Sequence, residues 1–238
     1  MRKSLAISAV LASALLISFP ASAGDAAVFE DIGFSADGKT YLFGQYGRTD
    51  GKFEAWAEIY TVDVAKNDFV SGEVYKTAPS EQTSRLSGKK AFLDLREKTE
   101  WKIAKYNAVP STVSTLIYIR EAENKSPVDE IKFKDFEGSS GSNSIYYRVR
   151  LVPTYEGSGK NVRSKYYINL EKINGNSDVL SSWKVGTPDL WRKGISSYQI
   201  ERIYKDVSGK SLVFIIQKTL EDETGTSIRY MVETLSGI

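Results

Sequence analysis

The sequence predicts a mainly β protein: an antiparallel sandwich or irregular barrel with one amphipathic helix, or alternatively a small propeller-like arrangement. Short runs rich in Val, Ile, Thr, Tyr and Phe recur between clusters of Gly, Asn, Asp and Ser along most of the 238 residues. Only residues 79–106 switch to a helical period. The chain also opens and closes on related units. Phe34-Ser35-Ala36-Asp37-Gly38-Lys39-Thr40-Tyr41-Leu42-Phe43 is echoed by Lys205-Asp206-Val207-Ser208-Gly209-Lys210-Ser211-Leu212-Val213-Phe214. Aligned on their Gly-Lys pairs, each unit leads to a polar loop and a second strand, 57–64 and 226–235.

The first 23 residues read as an export leader rather than as fold. Arg2 and Lys3 precede an apolar run from Leu5 to Phe19, and Ala21-Ser22-Ala23 supplies a small-residue cleavage site. The apolar run is too short and too rich in serine for a membrane span. The expected mature chain is one β-rich domain over 24–238, periplasmic or secreted, cut after Ala23. Lys+Arg total 32 and Asp+Glu 30, so losing Arg2 and Lys3 with the leader leaves that chain neutral. A neutral chain without a basic block has no electrostatic footprint for nucleic acid. Cysteine and histidine are both absent. Disulfides and Ser-His-Asp or Cys-His triads are therefore excluded, and zinc and copper sites lose their usual ligands. No metal and no cofactor are expected.

In chain order, Asp37-Gly38 predicts a two-residue type I′ turn with positive φ at both positions. Strand 39–46 follows, then a loop at 47–52. In 57–64, Ala57, Ile59, Thr61 and Asp63 fall on one face and Glu58, Tyr60, Val62 and Val64 on the other. Lys66-Asn67-Asp68 makes a turn before a short strand at 69–75. Leu86, Phe92, Leu95, Thr99, Ile103 and Tyr106 then form the stripe of one helix, capped by Ser80 or Ser84 and interrupted early by Gly88. Strands resume at 114–121 and 130–136 around a turn at Asn124-Lys125-Ser126-Pro127, followed by a flexible polar loop at 137–143. A long hairpin spans 145–153 and 164–173, with Tyr147, Val149 and Leu151 alternating against Tyr146, Arg148 and Arg150. Residues 182–192 form the one loop rich in aromatic side chains.

Several patterns touch on chemistry. Residues 33–40 read G-F-S-A-D-G-K-T, a literal phosphate-loop match, but no helix follows and Asp37 puts a carboxylate where phosphate would sit. Ser87–Lys90 and Ser181–Lys184 fit S-x-x-K without the companion motifs of penicillin-recognising enzymes. Residues 220–225 offer acidic oxygens without calcium-loop spacing, and an ordinary turn is the favoured reading. Without histidine, acid–base work falls to carboxylates such as Asp37, Asp50, Asp63 or Glu223, none of them singled out. Trp183 and Trp191 are the residues nominated for binding: two flat rings in one loop suit a sugar or a partner's hot spot, while the plainer alternative is that they plug the end of the core. The favoured function is thus a non-catalytic module that binds an envelope protein or glycan. A carboxylate-dependent hydrolase acting on an envelope glycan is the alternative.

A family resemblance rests on both ends of the chain. Gly33-Phe34-Ser35, Asp37-Gly38-Lys39, Phe43, Tyr46-Gly47, Asp50-Gly51, Ile59-Tyr60-x-Val62-Asp63 and Asn67, with Ile200-x-x-Ile203-Tyr204, Gly209, Gly225 and Arg229-Tyr230 near the end, resemble uncharacterised bacterial predicted secreted proteins (domain of unknown function 2259). The chain departs from that pattern at Gly44-Gln45, where acidic residues are expected, and at Phe53-Glu54-Ala55-Trp56, which replaces a Gly-Phe-Pro-Tyr-like run. The resemblance implies export and a β architecture, and no activity. F-S-x-D-G-K followed by I-Y-x-V-D also resembles a blade of periplasmic β-propellers.

Overall fold

A computed structural model describes residues 25–121, 130–222 and 225–238. The leader, the turn expected at 124–127 and Glu223 lie outside the described residues. The first sheet is a meander of β1 (Val28–Phe34), β2 (Thr40–Arg48), β3 (Ala55–Asp63) and β4 (Asp68–Thr77). Its outer face is covered by α1 (Gly88–Ile103), whose Ala91, Phe92, Leu95 and Ile103 pack on Leu42, Ala57 and Ile59. Gly44 lets the helix sit this close, because a Cβ there would lie 2.3 Å from the Phe92 ring. The helix begins later than its apolar stripe suggests: 81–83 form a separate 3-10 turn, and Ser87 rather than Ser80 or Ser84 caps α1 by accepting from the Lys90 N–H at 3.1 Å. Gly88 is the helix's first residue, not an interruption.

After the helix, β5 (Leu116–Ile119) leads to the third sheet: β6 (Ile131–Ser140), β7 (Asn143–Glu156), β8 (Arg163–Ile173), β9 (Val179–Val185) and β10 (Arg192–Lys193). These pair in the order β6-β7-β8, with β9 and β10 sharing the far edge of β8. The expected alternation in β7 holds: Tyr147 and Val149 are buried while Tyr146, Arg148 and Arg150 are half-exposed. The polar stretch at 137–143 is a hairpin instead of a flexible loop. Its ladder closes at Ser140 opposite Asn143, because the Ser139 hydroxyl accepts from the Ile145 N–H at 2.9 Å and the Asp135 carboxylate accepts from the Gly138 N–H at 2.9 Å.

β11 (Ile195–Lys205), β12 (Ser211–Asp222) and β13 (Gly225–Ser236) complete the central sheet, with β5 pairing on the outer side of β11. This sheet lies between the other two. In β12, Leu212, Phe214 and Ile216 belong to the core shared with the third sheet, and Val213 and Ile215 to the core shared with the first. All five are at most 1% exposed, which is why β12 reads as an unbroken apolar run and not as an alternating one. The fold is therefore an open stack of three antiparallel sheets with one helix; the sheets do not close into a barrel. Among the described residues no helix is long and apolar enough to cross a membrane.

The echo in the sequence is an echo in the backbone. At the β1–β2 turn, the Ser35 N–H donates to Thr40 O at 2.8 Å and the Gly38 N–H to Ser35 O at 2.9 Å; at the β11–β12 turn, Asp206 donates to Ser211 O at 3.1 Å and Gly209 to Asp206 O at 3.0 Å. The carbonyl after each glycine also accepts from the end of the third strand, Lys39 O from Val64 and Lys210 O from Gly237. Neither turn is type I′. Only the glycines have positive φ, +69° at Gly38 and +71° at Gly209. Asp37 instead accepts from the Ser35 hydroxyl at 2.7 Å and the Lys39 N–H at 3.1 Å, and each loop is a wider four-residue hairpin with a left-handed glycine at its third position. The two turns also touch: a Cβ on Gly38 would lie 2.9 Å from Asp206 Oδ2.

Candidate functional site

At the end of the stack marked by these turns, the edges of the central and third sheets diverge and leave a cleft of about 610 Å³, within the usual range for ligand sites. Leu116 and Ile117 of β5, Phe133 of β6, Tyr147 of β7, Leu212 of β12 and Ile238 give it an apolar floor. The Phe133 and Tyr147 rings pack with centroids 5.4 Å apart. The irregular ladder between Asp135 and Ser140 swings Phe136 and Glu137 out at the mouth. Facing them are Lys205 and the Asp206–Ser211 turn, where the missing side chain of Gly209 makes room for the Glu137 carboxylate.

The cleft's two carboxylates are both spoken for. Asp135 pairs with Lys172 at 2.8 Å and Glu137 with Lys205 at 2.8 Å. Burial pushes the Asp135 carboxyl up, but Lys172 and the Gly138 N–H outweigh it and hold the group below its ordinary value. Lys172 is raised in turn, first by its bond to Asp135. A glycosidase acid needs a carboxyl held protonated near neutrality, and Asp135 is shifted the opposite way. Lys134 and Lys210 also line the cleft and have no carboxylate partner among the described residues.

A smaller cleft of about 320 Å³ adjoins the first, sharing Ser114 and Lys205 with it; Phe34, Val109 and Val207 are among its walls. Together the two gather the most exposed apolar side chains of the described residues. Of the five most exposed large apolar side chains among the described residues, Val207 (92%), Val113 (91%), Phe136 (81%) and Val109 (64%) line one cleft or the other, and Trp101 (76%) lies elsewhere. An apolar concentration of this kind on one end marks an interaction site.

The carboxylates nominated from sequence are turn fixtures. Asp37 caps its own hairpin, Asp50 accepts from the Gly51 N–H and Asp63 from the Lys66 N–H. Ser87 is occupied as a helix cap, and residues 33–40 run from a strand through a turn into β2, with no helix. Trp183 and Trp191 are not neighbours on one loop. Trp183 sits in β9 opposite Leu170 and is partly buried against the core of the central and third sheets. Trp191 precedes Arg192, which pairs with Ser164, so about five residues of β8 separate the two, roughly 17 Å. Arg163 and Lys165 lie over the Trp191 ring at 4.8 and 5.1 Å.

Sequence reasoning missed a set of charged pins between the layers. Asp25 accepts from Trp56 Nε1 and Arg229 at 2.6 Å each and ties the start of the described chain to β13; its carboxyl is raised by burial, against the pull of Arg229. Glu58 accepts from Gln45 at 2.8 Å and Tyr60 at 2.5 Å and pairs with Lys76 at 2.8 Å. The Gln45 carbonyl in turn takes the Tyr230 N–H of β13 at 2.8 Å. That explains an amide at position 45: a carboxylate cannot donate to Glu58. Glu233, 3% exposed, accepts from Tyr166 of the third sheet at 2.6 Å and from Asn67 of the first at 2.5 Å, joining all three layers.

Residues 42–236 match the model of a family described as predicted secreted protein (DUF2259). The chain belongs to that family. The matched span runs from within β2 to the end of β13 and so takes in the central and third sheets and nearly all of the cleft lining. The family's description carries a location and no activity. No curated protein and no solved structure matches the chain.

Proposed function

We propose that this chain is a non-catalytic binding module of the cell envelope, exported to the periplasm or beyond, cut after Ala23 and acting as one domain over 24–238. Its ligand, a small molecule with an apolar body, occupies the 610 Å³ cleft between β5, β6 and the β11–β12 turn. The observation that carries this reading is that, among the described residues, four of the five most exposed large apolar side chains lie around that cleft and its neighbour. Ion pairing of both cleft carboxylates favours binding over a glycan hydrolase. The test is titration of the mature chain with the neutral fluorophore N-phenyl-1-naphthylamine. One saturable site is expected, lost in Ser114→Trp, which fills the mouth from an exposed position without altering the unfolding midpoint. Equal binding by both proteins would remove the cleft as the site. Trp183 and Trp191 remain proposed as two separate contact residues, not one surface: both are partly exposed, Trp183 at the edge of the core and Trp191 over Arg163 and Lys165.

A further inference from the structure

Resting on that reading, we infer that the cleft takes a straight-chain amphiphile with one anionic end, its chain on the apolar floor and its head at Lys134 and Lys210. Charge complementarity selects this occupant. Four lysine and two carboxylate side chains line the cleft; Lys172 and Lys205 are neutralised by Asp135 and Glu137, which leaves Lys210 and Lys134, the latter with its ammonium over the Phe136 ring at 5.7 Å, without a carboxylate side chain of their own among the described residues. Both lysines are exposed, so their charge stays accessible to a ligand head at the mouth. Deeper in, the lining is Leu116, Ile117, Phe133, Tyr147, Leu212 and Ile238; nearby, the Lys172 ammonium lies over the Tyr147 ring at 5.4 Å and the Ser208 hydroxyl donates to Asp206. A peptide would bring backbone donors and acceptors that this floor cannot satisfy, at a cost for each one buried. An alkyl chain brings none. The cleft holds a chain, and the adjoining apolar cleft beyond Ser114 and Lys205 extends the surface for a longer one.

The same chemistry is offered by a free fatty acid and by an anionic lipid in a bilayer, and the experiment separates them. Displacement of N-phenyl-1-naphthylamine is measured with octanoate, decanoate and 1-decanol below their aggregation limits, and vesicles of phosphatidylcholine with or without phosphatidylglycerol are tested by co-sedimentation. Decanoate should bind about five- to tenfold tighter than 1-decanol, the scale of two exposed charge contacts. Octanoate should be weaker than decanoate by about fourfold per methylene removed. In Lys134→Gln/Lys210→Gln, the preference for decanoate over 1-decanol should disappear, with both affinities measured on that variant. If decanoate and 1-decanol bind equally, or the double variant keeps the preference, the anionic head is refuted while the cleft survives. If neither displaces the fluorophore, and the fluorophore itself fails to bind, both readings fall. Sedimentation with phosphatidylglycerol vesicles without displacement by decanoate would assign the surface to the bilayer and overturn the single-chain ligand.

Discussion

The contact between the two hairpin turns makes a quantitative prediction. Gly38 has φ +69°, and Gly51, in the loop between β2 and β3, has φ +77°. Replacing either by Ala puts an L side chain into the left-handed region, at about 1–2 kcal/mol. The surroundings differ. A Cβ at Gly51 meets nothing within 4 Å, whereas one at Gly38 lies 2.9 Å from Asp206 Oδ2. Asp206 is 4% exposed, and its carboxylate accepts from the Ser208 hydroxyl and from the N–H groups of Ser208 and Ser211 at 3.3 and 2.8 Å. Displacing that carboxylate weakens charge-assisted bonds worth about 1.5–3 kcal/mol. Gly38→Ala should therefore be about 2 kcal/mol more destabilising than Gly51→Ala, or ~4–8 °C in Tm for a chain of this size. Urea unfolding of both variants measures the difference. Combining Gly38→Ala with Asp206→Ala should recover at least about 1 kcal/mol as coupling. Equal costs for the two alanines, or a coupling near zero, would show that the first and central sheets do not meet at these turns.

Other expected outcomes are simpler. Phe214→Ala, at a fully buried position in the central sheet, should cost about 3–5 kcal/mol by urea unfolding. Trp183→Ala should lose about 3 kcal/mol through its packing on the core, and Trp191→Ala about 1 kcal/mol through its two cation contacts; large losses in both would end their candidacy as a contact surface. The Asp135 carboxyl is held below its unfolded value of 3.8, so its contribution is complete above that pH and is lost as pH falls through the folded value. Asp135→Asn should thus be less stable than wild type at pH 7, and the gap should narrow as pH falls below 3.8, as read from urea midpoints. Sequencing the N-terminus of exported protein should give Gly24 first; an intact Met1 would refute the leader.

The sequence was most legible where one local rule acts alone. The strands, the apolar period of α1 and the β7 alternation followed from periodicity, and the paired Gly-Lys motifs announced equivalent turns. It was least legible where a side chain answers to a distant partner. Asp37-Gly38 looks like a type I′ turn until Ser35 and Lys39 engage the Asp37 carboxylate. Ser87 competes with Ser80 and Ser84 as a cap, and only the seating of Gly88 against Gly47 decides it. The cleft was invisible because its lining comes from β5, β6, β7, β8, β11, the β11–β12 turn and β12, with Ile238 at the far end of the numbering. Phe136 and Val113 read as ordinary strand or loop residues; nothing local announces that they will stand exposed on the same rim.

The order in which the layers are made has its own consequence. The middle layer takes three of its four strands from the last stretch of chain, β11 to β13, while the layers it separates are encoded before it. Until those strands emerge, Phe34, Tyr41, Phe43 and Val62 on one side and Val149, Tyr166, Ile168 and Leu170 on the other have no surface to pack against. Synthesis from the N-terminus therefore yields two half-finished sheets that cannot close on their own, and long-range pairing of this kind forms slowly. Under the proposed export, a chain threaded unfolded through a narrow channel would gain time from that arrangement: its keystone arrives last.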